Sequence, residues 1–349
     1  MELWNGRSRH WLSVFAGRMV PAACLIVLSA LPFLYRTTSQ ASPARITNIS
    51  LLVAFSGQMQ ARGNDLYAAT ELAVQHANAG GGRPLVVVSA LDDQAQPQTA
   101  QDQARGAGAD AGISAVLCCT TAADEGAVAT VLPPREPLVS LAASTKAMAV
   151  DEATLVRRQL GGGTATVVSD QTIQQDARAT QLVQAFRAAG YAVTLVTANF
   201  AGGSRPGPLA ASVAEDPPDI IVLDANYPAA AAMGTALRDA GVTASLVGDD
   251  RLDGAPAASR LAGMGPMWFV ALDRAALLRQ APVTFAGDFG QVRGHAPSAR
   301  DVLTYLQARA ALHDGVAFVR PVQLPVVLYR FVPGVYPPPP VATVGGSST

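Results

Sequence analysis

The chain is poor in several things that would give a function away. It holds a single lysine, Lys146, among its arginines, and no basic run long enough for a nucleic-acid footprint. The net charge is −1, which favours neither polyanions nor acidic partners. Four histidines, His10, His76, His295 and His313, show no metal-ligand spacing, so no metal and no cofactor are implied. There is no G-x-S-x-G elbow and no G-x-x-x-x-G-K-[ST] phosphate loop. Gly161 to Gly163 precede an apolar run that reads as a strand, whereas a dinucleotide fingerprint would follow one. With no residue nominating itself as a nucleophile, an enzyme is the weakest reading. Aromatics make up 6%, so the core must be built from Ala, Val and Leu.

What is present suits a large soluble core. Half of the 349 residues are hydrophobic and 15% are charged, and the length accommodates two domains. The first forty residues stand apart. Arg7, Arg9 and Arg18 precede the apolar stretch Met19 to Tyr35, followed by small residues at Ser39 and Ala41. This pattern predicts an export signal over residues 1–41, cleaved after Ala41, or else an uncleaved anchor. Pro21 and Pro32 interrupt the run, which falls short of the ~20 residues of a membrane helix. Cys24 is no lipidation site, because the apolar run follows it instead of leading up to it.

From Ile46 short apolar runs alternate with amphipathic stretches. "ISLLVAF", "PLVVVSA", "SAVLC" and "PLVSLA" read as strands, with helices over 65–78, 99–106 and 122–132 between them. After the glycines the rhythm restarts: strands at "TATVVS", "AVTLVT", "DIIVLDA", "SLVGDD", "MWFVAL" and "VVLYRF", and helices over 174–189, 229–240 and 298–312. Strand–helix repetition of this kind predicts parallel sheets covered on both faces, in two similar lobes with a cleft between them. Residues 337–349, opening on four prolines, read as a disordered tail.

The stretch "VLCCTTAADEG" ends the third strand. Cys118 and Cys119 have no histidine, cation or further ligand indicated near them, and neighbours in a chain rarely meet disulfide geometry, so two inert thiols are expected. Thr121 and Asp124 form a weak capping box. The helix start there is either an ordinary cap or an anion site, since its amides would face the cleft while Asp124 and Glu125 oppose a bound anion.

Taken in order, "LLVAFSGQMQARGNDLYAATELAVQHANAGGG", "VVVSALDDQAQP", "AVLCCTT", "PLVSLAASTKAM", "VVSDQTIQQDARATQLVQAFRAAGYAV", "NYPAAAAMGTALRDAGV" and "LVGDD" resemble the type I periplasmic solute-binding proteins of the leucine/isoleucine/valine-binding branch. The resemblance runs from about Ile46 to about Tyr336. It implies two doubly wound α/β lobes that close over a small ligand, with lobe 1 formed by 45–148 and 273–325 and lobe 2 by 149–272 and 326–336. Hinges are implied near Ala149, Leu272 and Pro325.

The resemblance also implies a site. Thr120 and Thr121, with Ala143 and Ser144 from the next loop, would take a ligand carboxylate, and Asp250 beside Asp249 would take its ammonium. Arg62, Gln174 and Asn226 stand where the family has aromatics, which makes the pocket more polar and suits a polar amino acid or a small carboxylate. No cysteine lies near Gln94 to Gln96, so the family's first-lobe disulfide cannot form. Only three glycines separate "TLVRRQL" from the next strand, and another element is missing between Leu312 and Pro325, so a truncated second lobe is expected. The implied function is a periplasmic protein that delivers a small amino acid or carboxylate to the membrane permease of an ABC-type importer. The alternative is an anchored sensing or interaction domain of the same fold without transport.

Overall fold

The structure is a computed structural model and describes residues 46–79, 85–133, 137–141, 146–170, 176–200, 204–312 and 325–344. The expected export signal or anchor lies outside them, as do Ala143, Ser144 and Gln174. No helix among the described residues is long and apolar enough to cross a membrane.

The first lobe is laid down by β1 (Ile46–Val53), α1 (Gln60–Ala79), β2 (Leu85–Asp92), α2 (Pro97–Ala109), β3 (Ile113–Cys118), α3 (Ala122–Ala129) and β4 (Leu138–Ser140). The second begins with α4 (Lys146–Leu160), β5 (Thr164–Asp170), α5 (Asp176–Ala188), β6 (Ala192–Ala198) and α6 (Pro206–Glu215). It continues with β7 (Ile220–Asp224), α7 (Tyr227–Asp239), β8 (Ser245–Gly248), α8 (Ala255–Leu261) and β9 (Met267–Leu272). The chain then returns to the first lobe for α9 (Arg274–Leu278), α10 (Phe285–Arg293) and α11 (Ala299–Leu312), which packs along α1. It ends in the second lobe with β10 (Val326–Arg330) and β11 (Pro340–Val344). Asp273 N donates to the Pro325 carbonyl at 2.8 Å, so the two later crossings run side by side.

The strand order is β2-β1-β3-β4 in the first sheet and β11-β10-β9-β8-β7-β5-β6 in the second. Everything from β1 to β9 pairs in parallel. In each parallel array the order reverses once, beside β1 and beside β5, which places a switch-point crevice at the carboxyl ends of those strands. Central strands are apolar throughout because both faces are covered: β1 is buried from Ile49 to Val53 and β7 along its whole length. Ile49, Leu51 and Val53 join a core that continues through Met148 and Ala149 to Val167 and Val222, while Leu52 points to the other face with Val116 and Val128. The doubly wound, two-lobed α/β class expected from the sequence is the fold observed.

Three local expectations are corrected. The segment read as a disordered tail contains β11, which pairs antiparallel with β10 through Val326 and Val344, Val327 and Thr343, and Leu328 and Ala342. The prolines that suggested disorder come before most of the pairing residues, and an edge strand tolerates Pro340 at its start. "TLVRRQL" is the second half of α4, which the glycines carry directly into β5. The second lobe is not thin in its sheet, which has seven described strands against four in the first.

One glycine is demanded by a close approach. A Cβ at Gly63, in the first turns of α1, would collide with the carbonyl of Ala54. Alanine ordinarily gains up to about 1 kcal/mol over glycine within a helix, but overpacking costs about 1–3 kcal/mol. Gly63→Ala is therefore expected to lower the melting temperature, and a thermal melt showing a rise would mean that α1 can shift away from β1.

Candidate functional site

The first-lobe wall of the crevice is the turn after β3. Thr120 Oγ1 accepts from Ala54 N at 3.1 Å, tying the ends of β1 and β3 together. Thr121 caps α3: its hydroxyl oxygen accepts from Asp124 N at 3.2 Å and its hydroxyl donates to Asp124 Oδ2 at 2.6 Å. The capping box is therefore formed, and it commits the Thr121 hydroxyl to the chain itself. Beneath it lie two buried acids. Burial pushes Asp93 up to about 7, with the charges of Asp124 and Asp92 adding to it, and burial pushes Asp124 up to about 6. Cys118 and Cys119 are fully buried and joined by a cis peptide bond.

The second-lobe wall is the turn after β8 together with the ends of β5 and β7. Asp249 N-caps this turn, its Oδ1 accepting from Arg251 N at 2.9 Å. Around it two buried guanidiniums and three acids interlock. Arg178 on α5 reaches Asp249 Oδ2 at 2.9 Å, Glu152 Oε2 on α4 at 3.2 Å and Asp224 Oδ1 at 3.3 Å. Arg251 grips Asp249 through Nε, 2.9 Å from both carboxylate oxygens, and pairs with Asp224. Burial alone would raise Asp249, but the Arg251 and Arg178 charges outweigh it and hold the carboxyl well below its ordinary range. Glu152 goes the other way: burial and the charges of Asp249 and Asp224 outweigh Arg178 and push it up to about 8. Glu152 is thus protonated at neutral pH.

Between the walls, Arg300 reaches from the first turn of α11. That turn is fixed by a reciprocal cap, Ser298 N donating to Asp301 Oδ2 at 2.7 Å and Asp301 N to Ser298 Oγ at 3.3 Å. Asp253, from the other lobe, accepts from Ala299 N at 2.8 Å. Arg300 donates to the Thr120 carbonyl at 3.3 Å and forms an ion pair with Asp250. Arg62 donates to the Asp250 carbonyl at 2.5 Å, to Ser298 Oγ at 3.1 Å and to the Asp253 carbonyl at 3.4 Å. Gln58 Oε1 accepts from Asn226 Nδ2 at 2.5 Å, while Asn226 Oδ1 caps α7 by accepting from Ala229 N. The remaining crevice is narrow, about 60 Å³, and is lined by Gln58, Arg62, Asn226, Tyr227, Arg251 and Asp253 among others. That holds a few waters and is below the roughly 300–1,000 Å³ of small-molecule pockets.

Of the residues singled out in the sequence, Arg62 and Asn226 line this crevice, and Thr120 and Asp250 are brought together through Arg300. Thr121 lies beside them with its hydroxyl turned to Asp124. Sequence reasoning missed Arg300, Gln58 and the Arg178–Arg251 cluster. A signal existed for the first: "SARD" is a capping box that places Arg300 in a helical first turn.

A family model described as "Periplasmic binding protein" matches residues 47–316. No curated protein matches the chain. Among solved structures, a leucine-binding protein LivK from Thermotoga maritima is 18% identical, with a TM-score of 0.67, covering 86% of this chain and 99% of that one. The branched-chain amino-acid transporter substrate-binding protein LivJ from Streptococcus pneumoniae, in complex with isoleucine, is 16% identical with a TM-score of 0.68, covering 85% and 98%. A solute-binding protein of an ABC transporter from R. palustris, in complex with benzoate, is 15% identical with a TM-score of 0.69, covering 86% and 96%. At such identities the likeness is one of fold.

Proposed function

We infer that this chain, which belongs to the periplasmic binding protein family, captures a small carboxylate, amino acids being one such class, and hands it to the membrane permease of an ABC-type importer. In this reading it works outside the cytoplasm, exported by its N-terminal segment, and binds its ligand without turning it over. The observation that carries the reading is the crevice itself, which lies where the strand order of both sheets reverses and is walled by polar side chains from both lobes. The first-lobe groups of the site are Thr120, Thr121, Ala143, Ser144 and Arg62, and the second lobe contributes Gln174, Asn226 and Asp250. Because the crevice is narrow with the lobes together, entry requires them to part, with hinges near Ala149, Leu272 and Pro325.

The test is a thermal-shift panel of amino acids and small organic acids, with mass spectrometry of whatever small molecule co-purifies. A ligand at about 100 times its Kd stabilises by about 2.7 kcal/mol, so a cognate compound is expected to raise the melting temperature by roughly 3–5 °C. A panel that moves nothing, with no small molecule carried through purification, would count against the reading.

A further inference from the structure

Arg300 stands where a bound ligand's own cation would have to reach Asp250. Its guanidinium is ion-paired with that carboxylate, and both side chains are almost wholly buried, 5% and 4% exposed. The other described acids on or behind the crevice wall are also engaged by donors of the chain. Asp65 holds Arg293 Nε at 2.6 Å and His295 Nε2 at 3.4 Å. Asp253 accepts from Ala299 N at 2.8 Å and from the Tyr336 hydroxyl at 3.2 Å. Asp249 is enclosed by Arg178 and Arg251.

The donors are less fully used. Arg300 Nε is buried with no hydrogen-bond partner among the described residues. The hydrogen bonds of Arg62 among the described residues all go to neutral acceptors, two carbonyls and a hydroxyl. Asp250 Oδ1 likewise accepts no hydrogen bond from the described residues, although the charge of Asp250 is met by Arg300. We propose that Arg300, which joins Thr120 to Asp250 beside this crevice, is the specificity-determining residue of the site and that the ligand is a carboxylate carrying no ammonium group, an inference that rests on the binding-protein reading above. An amino acid's ammonium placed on the other oxygen of Asp250 would stand beside the Arg300 guanidinium, cation against cation in a closed crevice, and displacing Arg300 would strand that guanidinium instead. A ligand carboxylate there gives an acceptor to Arg300 Nε, which has none among the described residues, adds a charged acceptor for Arg62, and leaves the Asp250 pair in place.

Calorimetric titration with two matched pairs, succinate against aspartate and 4-methylpentanoate against leucine, plus benzoate, isolates the ammonium. The wild-type protein is expected to bind the member lacking the ammonium at least about 100-fold more tightly in whichever pair it recognises. Arg300→Gln frees Asp250 and is expected to shift the preference within the pair toward the amino acid by at least about tenfold. Should that variant fail to fold, Arg300→Lys keeps the charge but loses the Nε donor. It is expected to weaken the carboxylate by about tenfold while still excluding the amino acid. Tighter wild-type binding of aspartate or leucine, a preference unmoved by Arg300→Gln, or a carboxylate affinity unmoved by Arg300→Lys overturns the assignment of Arg300 and leaves the binding-protein reading standing. Folded protein that binds none of the five probes overturns both.

Discussion

Asp249→Ala is expected to cost about 3–5 kcal/mol of unfolding free energy, the usual consequence of removing one partner from a buried ion cluster. Exposed ion pairs contribute far less, about 0–1 kcal/mol, so burial decides the magnitude. Arg178 and Arg251 both depend on Asp249, and their side chains are 9% and 7% exposed. Without it, Asp224 is left to serve two guanidiniums, because Glu152 in the native protein is held protonated at neutral pH, pushed up to about 8 by burial and by the acid charges around it, Asp249 among them. The same geometry gives the loss a pH signature. In the native protein Glu152 is raised from its ordinary 4.5, so its contribution to stability is present at low pH and is lost as pH rises toward 8. Removing Asp249 removes one of the charges that raise Glu152 and leaves it more of Arg178, so Glu152 ionises earlier and replaces part of the missing charge. Urea unfolding should therefore show a smaller difference between variant and wild type at pH 9 than at pH 6. A difference below 1 kcal/mol at both pH values would mean that water reaches the cluster.

Legibility in the sequence followed range. β1, β5 and β7 could be read because strands buried on both faces are continuous apolar runs, and α7 because Asn226 and Pro228 mark its start and Gly241 its end. α4 was passed over because its apolar residues belong to a lobe–lobe core visible only in three dimensions, where Met148 and Ala149 join Val167 and Val222. β11 was hidden by the prolines around it, since nothing local says that β10 offers it an edge. The site divides in the same way. The Thr121 cap is a four-residue event and was legible as such. The ion pair of Asp250 with Arg300, like those of Arg178 with Asp224 and Asp249, joins residues far apart in the chain that have no common pattern. Resemblance carried Arg62 and Asn226 to the crevice, but could not say that Asp250 already has a cation of its own.

The second large effect concerns the acids beneath the Thr121 turn. Asp93→Asn is expected to stabilise the protein at pH 8 and to leave it nearly unchanged at pH 4. Asp93 is fully buried; its Oδ1 accepts from Ala95 N at 2.8 Å while its Oδ2 has no hydrogen-bond partner among the described residues. Burial first, then the nearby charges of Asp124 and Asp92, raise it from 3.8 to about 7. A carboxyl raised on folding binds its proton more tightly in the native state. Its favourable contribution is therefore complete below about pH 4 and gone once pH has risen through about 7. A displacement of that size is worth roughly 4 kcal/mol. Asparagine keeps the acceptor for Ala95 N, offers N–H donors where the protonated oxygen stood, and cannot ionise. Wild-type stability should thus fall between pH 5 and 8, and Asp124, raised to about 6, should keep part of that slope in the variant. Urea midpoints of both proteins at pH 5 and pH 8 decide the matter. A variant whose slope between those values equals that of wild type would show that Asp93 is ionised throughout. The burial of an unpartnered carboxylate oxygen under the Thr121 turn would then need another cation to explain it.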